Sequence, residues 1–408
     1  MGEEKVIAGL DIGTTKIAIA VAVQHDQGLD IVGLGQVPCV STRRGIVVNI
    51  EGTTEAIRKA RIEAELMSGL KIHDVVVGVA GDHIRSFDSK GMVAVRHQEV
   101  TASDVQRVID AAKAVAVPAD REVLHVLARD YKVDDQGGIF DPVGMAGVRL
   151  EANVHIITGG KTALQNITKA TEKAGLVPKG LVLESLASAK SVLSKDERDL
   201  GVALVDMGGG TCDVVIFLQG SVAYTASIPL GGMHITNDIA VGLRTPPASA
   251  DALKVKYGCA LASMIDAEET IDVEGVGTRG ARLLKRRLLC DVIEPRAEEI
   301  LNFINNEIQK SQLAHLLGAG VVLTGGSSQL EGLIEMAEFV FDMPVRRGGP
   351  LAQGGLKEIV QTPTHATAVG LLLSAVESGK GSRLHSGRGG GIFGSWGNRL
   401  KAMLDQAF

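Results

Sequence analysis

Two short stretches of this 408-residue chain carry residue types in the arrangement that phosphate chemistry needs. "DIGTTK" (Asp11–Lys16) and "DMGGGTCD" (Asp206–Asp213) each put an aspartate at the end of an apolar run, followed at once by glycine and hydroxyl residues. In a tight turn of this kind, successive backbone N–H groups point the same way and form a concavity for an anion. Gly13, Gly208, Gly209 and Gly210 carry no Cβ to hold a phosphate away from the backbone, and Thr14, Thr15, Lys16 and Thr211 add donors. Asp11 and Asp206 accept hydrogen bonds only. Such carboxylates suit Mg2+ bound through water, because magnesium keeps several waters and takes few protein ligands. Either motif alone reads as an ordinary hairpin turn; two copies at matching places in one chain point to a phosphate site. A third stretch, "VVLTGGSSQLEGL", ends a strand at Gly325-Gly326, where a flat base or ribose can lie against bare backbone. Ser327 or Ser328 there can cap the helix that follows. Two better-known nucleotide signatures fail: "GGKT" at 159–162 has His155 where a P-loop needs its first glycine, and "GLGQVP" at 33–38 lacks the third glycine of a dinucleotide fold.

These turns need strands to hold them. "VIAGLD", "KIAIAVAV" and "LDIVGLGQV" are apolar, rich in β-branched residues and separated by turns, so they predict three strands, followed by a helix over Thr53–Met67 and a strand at "VVVGVA". The same order returns later as "VALVDMG", "CDVVIFL" and "VAYTASIPL", then helical stretches, then "GVVLTGG". The chain thus reads as two related halves, each opening with Asp-x-Gly at the end of its first strand. Between them, roughly residues 80–159 form an insertion with strands near "GMVAVR", "EVLHVLARDYKV" and "EANVHIITG". Its helix is expected over Ser103–Val117, with a capping box at Thr101 and Asp104 and one apolar face of Val105, Val108, Ile109, Ala112 and Ala116. "ESGKGSRLHSGRGGG" is Gly/Ser-rich, basic and aperiodic, the composition of a flexible linker.

Composition narrows the function. A net charge of −6 argues against non-specific binding of the whole chain to nucleic acid or anionic lipid, so any such attraction must come from a local basic segment. Cys39, Cys212, Cys259 and Cys290 lie far apart with no CxxC pair, which disfavours a zinc site or a disulfide framework and fits a reducing compartment. The start, "MGEEKVIAGLDIG", reads as neither signal nor transit peptide, and no apolar run reaches the roughly 18 residues of a membrane span.

The order Asp-x-Gly-Thr-Thr, Asp-x-Gly-Gly-Gly-Thr, Thr-Gly-Gly-Ser-Ser resembles the phosphate-1, phosphate-2 and adenosine motifs of the actin and heat-shock-chaperone ATPase superfamily. Within it the chain is similar to the FtsA family of bacterial actin-like cell-division proteins. "AGLDIGTTK", "HVLARDYKVDDQGGIFDPVGMAGVRLEANVHIIT", "LASAKSVLSKDERDLGVALVDMGGGTCDV", "LRTPPASADALKVKYGCALAS" and "VIEPRAEEILNFINNEI" carry the likeness over nearly the whole chain. It implies an α/β, actin-like (RNase H-like) two-domain ATPase fold around a cleft for ATP and Mg2+. Its parts would be subdomain 1A (1–79, 160–200 and 362–378), 1C (80–159), 2A (201–230 and 310–361) and 2B (231–309), then a linker (379–390) and an amphipathic helix (391–408). By motif matching, Asp11, Gly13, Thr14, Thr15 and Lys16 would meet phosphates from one side, and Gly208–Thr211 from the other. Asp251 and Lys254 match the helix that flanks adenosine, a solvated helix lysine being the alternative for Lys254, and Glu184 matches a carboxylate that orients the attacking water. The family is known for weak ATPase activity, so nucleotide is expected as an assembly ligand before a substrate. A small-molecule kinase on the same fold would need a catalytic aspartate that nothing singles out, and a pilus-assembly homologue would need no lipid-binding tail. The likeness also implies filaments of the chain itself and docking of the FtsZ C-terminal tail on 2B. In the run "TRGARLLKRRLLCDVIEPR", Arg282, Arg286 and Arg296 are the expected contacts, with Leu283 or Leu284 adding apolar surface. Subdomain 1C would serve self-contacts or later division proteins.

The last stretch, "GIFGSWGNRLKAMLDQAF", holds the chain's single tryptophan. On a helical wheel Ile392, Phe393, Trp396, Leu400, Met403, Leu404, Ala407 and Phe408 fall within an arc of about 160°, with Arg399 and Lys401 at its flanks. A helix of about 25 Å is too short and too polar to span a bilayer, so it is expected to lie flat in the interface. Six large apolar side chains at half of ~2 kcal/mol each give ~6 kcal/mol, part of which folding the helix consumes. Lys380, Arg383 and Arg388 in the linker add attraction to anionic lipid of about 1 kcal/mol per basic residue. The expected place is the cytoplasmic side of the plasma membrane, at the division septum, with no nucleic-acid partner.

Overall fold

A computed structural model describes residues 5–26, 28–277, 280–351 and 354–382. The chain opens with an antiparallel meander, β1 (Lys5–Ile12), β2 (Lys16–His25) and β3 (Gly28–Pro38). Helix α1 (Ile50–Ser68) then crosses to β4 (Asp74–Val79), which runs parallel to β1. Each of β1 and β2 holds a run of six consecutive buried residues, so their apolar stretches are continuous rather than alternating, as expected for strands covered on both faces. Asn49 caps α1 by accepting from the Gly52 N–H, which sets the helix start three residues ahead of the sequence expectation. Gly35, one of the glycines of the failed dinucleotide motif, has a packing purpose: a Cβ there would lie 1.9 Å from the Ala60 carbonyl oxygen of α1.

The insertion contains β5 (Arg85–Ala94), α2 (Ala102–Lys113), β6 (Arg121–Val133), β7 (Gln136–Ile139) and β8 (Arg149–Gly160). Its antiparallel sheet, in the order β5-β8-β6-β7, has its own core of Val105, Val108, Ile109 and Ala112 against Tyr131, Leu150 and Val154. The Thr101–Asp104 capping box forms as expected, but α2 stops at Lys113 instead of continuing to Val117. Pro118 disfavours helical backbone at the residue before it, and Val115 and Val117 are β-branched.

The chain returns to the first sheet through α3 (Lys161–Lys173) and β9 (Val177–Leu183), parallel to β4, and leaves by α4 (Glu184–Val192). The second half repeats the plan: an antiparallel meander of β10 (Val202–Met207), β11 (Cys212–Leu218) and β12 (Ser221–Ile228), then α5 (Gly232–Gly242), α6 (Pro247–Tyr257) and a small hairpin of β13 (Thr270–Val273) and β14 (Arg282–Lys285). The long helix α7 (Arg286–Lys310) follows, and then β15 (Val321–Thr324), α8 (Leu333–Phe341) and β16 (Val345–Arg347). The sheets read β9-β4-β1-β2-β3 and β16-β15-β10-β11-β12, each with two parallel strands added beside the first strand of the meander, so the internal echo is a true structural repeat. Residues 354–355 pair with the edge of β3, and α9 (Ala366–Ser382) packs back on β1, β2 and α4. This last helix occupies residues 379–382, which the sequence reading gave to the linker. The expected linker remainder and the amphipathic segment, including Ile392, Phe393, Trp396, Arg399, Leu400, Lys401, Met403, Leu404 and Phe408, lie outside the described residues.

The insertion touches both halves. Its ends are covalently joined to the first sheet, while Ser86 Oγ donates to the Thr225 carbonyl oxygen at 3.0 Å and His155 Nε2 lies 3.0 Å from Thr225 Oγ1, on the edge strand β12. His155 Nδ1 is 2.7 Å from Asp88 Oδ1, so the imidazole that meets Thr225 is held from the other side by a partly exposed carboxylate of the insertion.

Candidate functional site

The β1–β2 and β10–β11 turns meet face to face. A Cβ on Gly209 would lie 2.4 Å from Thr15 Cγ2, and one on Gly210 would lie 2.5 Å from Thr14 Oγ1, so only glycines let these loops come together. Gly13 lies in the first turn, where its carbonyl oxygen accepts from Thr42 Oγ1 at 2.7 Å. The second turn is fixed from behind, as the Gly232 and Met233 N–H groups donate to the carbonyl oxygens of Gly208 and Gly209 at 3.0 and 2.8 Å.

The strands below the turns bring four carboxylates together. Asp11 ends β1 and Asp206 lies near the end of β10. Asp213 faces Asp206 directly across the β10–β11 pairing, and Glu184 begins α4 where the chain leaves the first sheet. Burial pushes the Asp11 carboxyl up to about 6, with the charge of Lys16 opposing and that of Asp206 reinforcing the shift. Burial, with the Asp206 charge, lifts Asp213 to about 7. Glu184 is held well above the usual range by desolvation first and then by Asp11, Asp213 and Asp206. Asp206 is also raised by burial, against the hydrogen bonds it receives from Ser188 and Thr367. Ser188 Oγ donates to Asp206 Oδ2 at 2.5 Å and Thr367 Oγ1 donates to the same oxygen at 3.1 Å. Lys16 is the cation on this floor: its Nζ is 3.9 Å from Asp11 Oδ2 and donates to the Thr364 carbonyl oxygen, and burial lowers its pKa. Beside it, burial and the Lys16 charge hold His365 down at about 4.

On the far side of the second turn, Gly325 has φ +83°, and a Cβ there would strike Asp206 Oδ1 at 2.4 Å. Gly326 begins a single 3-10 turn, with open space where a Cβ would stand apart from Thr364 Oγ1 at 3.9 Å. Neither serine caps the next helix as expected. Ser327 Oγ donates to the Gly208 carbonyl oxygen at 2.9 Å and Ser328 Oγ to that of Gly325 at 2.7 Å, while Gly332 takes the position before α8. A donor to carbonyl groups has a different task from a cap: Ser327 locks the third turn to the second, and Ser328 closes the third turn on itself. Lys254 is no solvated lysine. Its Nζ donates to Asp251 Oδ1 at 2.6 Å, Thr236 Oγ1 at 2.7 Å and the Gly232 carbonyl oxygen at 3.3 Å, so Asp251 and Lys254 brace the start of α5 behind the glycine turns. Thr211 likewise spends its hydroxyl proton inside the protein, donating to Asp213 Oδ2 at 2.9 Å, where the sequence reading had it facing phosphate.

Asp213, Ser188 and Thr367 escaped the sequence reading. Asp213 was findable, since it mirrors Asp206 across the glycine turn of "DMGGGTCD" and must share its face of the sheet. Ser188 and Thr367 had no such signal, being 18 and 161 residues from the carboxylate they hold.

The arginines expected to contact a docked peptide are engaged within the protein. Arg282 donates to the Leu243 carbonyl oxygen. Arg286 donates to the Tyr257 carbonyl oxygen at 2.8 Å, to Glu269 at 3.0 Å and to Glu331 at 2.5 Å. Arg296 pairs with Asp238 at 2.5 Å and with Glu299. Arg287, next in sequence to the exposed Leu288 and four residues after the exposed Leu283, is exposed and has no ion-pair or hydrogen-bond partner among the described residues.

Residues 203–370 match the family model described as Cell division protein FtsA, and residues 81–158 match that of the SHS2 domain inserted in FTSA. The chain is 49% identical to the Cell division protein FtsA of Pseudomonas aeruginosa over 374 residues, covering 91% of this chain and 90% of that protein. It is 42% identical to the one of Neisseria meningitidis over 415 aligned positions, covering 100% and 99%. Among solved structures, a chain of the PilM-PilN type IV pilus biogenesis complex superposes with a TM-score of 0.65 at 16% identity, over 91% of this chain and 98% of that one. MreB5 of Spiroplasma citri bound to ADP gives 0.55 at 11%, over 94% and 99%. At these identities the two structures speak for the fold alone, which is actin-like. Among the described residues no helix is long and apolar enough to cross a membrane.

Proposed function

The chain belongs to the FtsA family of cell division proteins, and from that premise we propose that it is an ATP- and Mg2+-binding, actin-like protein. In this reading it polymerises and anchors FtsZ filaments to the cytoplasmic face of the plasma membrane at the division septum. The observation that carries the reading is the meeting of two matched hairpin turns above four desolvated carboxylates and one lysine. Acceptor-only groups that repel each other fit a hydrated magnesium ion, which would supply the missing positive charge while the glycine turns offer N–H groups to phosphate. Asp11 and Asp206 would hold such an ion through its waters. Glu184 would orient a water only when ionised. Burial among Asp11, Asp213 and Asp206 raises its pKa and so works against that form.

The proposed subdomains take their supports from the fold: the first sheet for 1A, the separately cored insertion for 1C, the second sheet for 2A, and α5 to α7 for 2B. The FtsZ tail docks on 2B. Since Arg282, Arg286 and Arg296 are committed within the protein, Arg287 offers an unpaired cation, and the exposed Leu283 and Leu288 offer apolar surface. The C-terminal amphipathic segment supplies the lipid contact. Its test uses the full-length protein, FtsZ filaments and vesicles rich in phosphatidylglycerol. Trp396 emission is expected to shift to the blue with vesicles, and FtsZ to sediment with them only when the protein is present. Removal of residues 391–408 abolishes the sedimentation of FtsZ with vesicles; its retention after that deletion would refute the anchor.

A further inference from the structure

Resting on the nucleotide reading above, we propose that Ser188 and Thr367 are positioning residues for Asp206: they pin one carboxylate oxygen so that the other is presented to a magnesium-bound water. The two hydroxyls converge on Oδ2, at 2.5 Å from Ser188 Oγ and 3.1 Å from Thr367 Oγ1, and lie 3.0 Å from each other. Two hydroxyl protons serve these three close contacts, and the short Ser188 distance marks the contact that always holds one. Asp206 Oδ1 receives no hydrogen bond among the described residues and sits over the bare α-carbon of Gly325. The carboxylate therefore cannot rotate freely, and its unused lone pairs belong to a defined oxygen. Asp11, the other proposed metal-side carboxylate, has no hydroxyl partner among the described residues, only Lys16 at 3.9 Å.

Ser188 is fully buried and Thr367 nearly so, which keeps them from touching a nucleotide themselves; their effect on it must pass through Asp206. They also belong to the two connections between the halves. Helix α4 carries Ser188 as the chain leaves the first sheet, and Thr367 lies in the first turn of α9, where it returns. One oxygen of a second-half aspartate is thus held by both crossovers. Groups that orient a metal's direct or water-borne ligands typically govern metal affinity by about 10–100-fold.

The test measures binding of a ribose-labelled fluorescent ATP to the full-length protein, with Mg2+ and with EDTA. Ser188→Ala is expected to weaken the Mg2+ arm by about 10-fold or more and to leave the EDTA arm within about twofold. Thr367→Val, which keeps the shape and removes the hydroxyl, moves the Mg2+ arm the same way, and Thr367→Ser restores it. Should Ser188→Ala fail to fold, the Thr367 pair decides alone. Equal losses in both arms, or an unchanged Mg2+ arm, would overturn the positioning role while leaving the cleft reading intact. Absence of any Mg2+-dependent binding by the unaltered protein would overturn both.

Discussion

Replacing Asp213 by asparagine isolates the electrostatics of the cleft floor. Asp213 is buried opposite Asp206, and its carboxyl is lifted from an ordinary 3.8 to about 7. At 1.36 kcal/mol for each pKa unit, that lift means about 4 kcal/mol of folding stability is lost when the group ionises. The sign follows from proton counting: between these two values the folded chain holds a proton that the unfolded chain has released, so this contribution is whole below pH 4 and vanishes as pH rises through 7. Asparagine keeps the shape and never ionises. In nucleotide-free protein with EDTA, the thermal midpoint of Asp213→Asn minus that of the unaltered protein should grow between pH 4.5 and pH 8, by several degrees for ~4 kcal/mol in a chain of this size. The subtraction removes His83 and His365, whose pKa values are lowered to about 4 and whose contributions run the opposite way, rising with pH between 4 and 6.5. Differential scanning fluorimetry over a pH series measures the quantity. A difference that stays flat across that range would show that Asp213 is ionised in the folded protein, and the account of a charge-strained floor would fail.

Other expectations rest on contacts already given. Gly210→Ala drives a Cβ to 2.5 Å from Thr14 Oγ1, so the two turns must separate; a loss of about 1–3 kcal/mol in stability and a clear drop in nucleotide affinity are expected by denaturation and calorimetry. Gly78→Ala places a methyl 2.9 Å from Glu184 Cγ and should lower any ATP turnover more than ATP binding, because it displaces the proposed water-orienting group and spares the turns. Arg286→Ala strips partners from Glu269, Glu331 and the Tyr257 carbonyl oxygen and should cost stability, whereas Arg287→Ala should leave the melting curve alone and weaken binding of an FtsZ tail peptide; the reverse pattern would reject the reassignment. His155→Ala breaks the link from Asp88 to Thr225 and leaves buried polar atoms unpaired, at about 1–3 kcal/mol; hydrogen exchange should show β8 and β12 loosening together.

The sequence alone determined whatever depends on local order. Strands covered on both faces must be apolar throughout, so β1 and β10 stood out, and the Asp-x-Gly that ends each marked the paired turns. The repeat of strand order gave the two halves, and the Thr101–Asp104 box set the start of α2, because capping depends on residues three apart. The amphipathic segment from Ile392 to Phe408 is legible only at that level. Tertiary structure decided which polar groups were already spoken for. A serine after a Gly-Gly turn reads as a cap, yet Ser327 turned to the carbonyl oxygen of Gly208, 119 residues away, once the loops came together. An arginine-rich run reads as a binding face, yet Arg286 and Arg296 were consumed by acidic neighbours 17, 45 and 58 residues away. Ser188 and Thr367 belong to helices that approach Asp206 only after both crossovers have packed. A hydrogen bond is satisfied once, by whichever partner folding brings nearest, and spacing along the chain does not encode that choice.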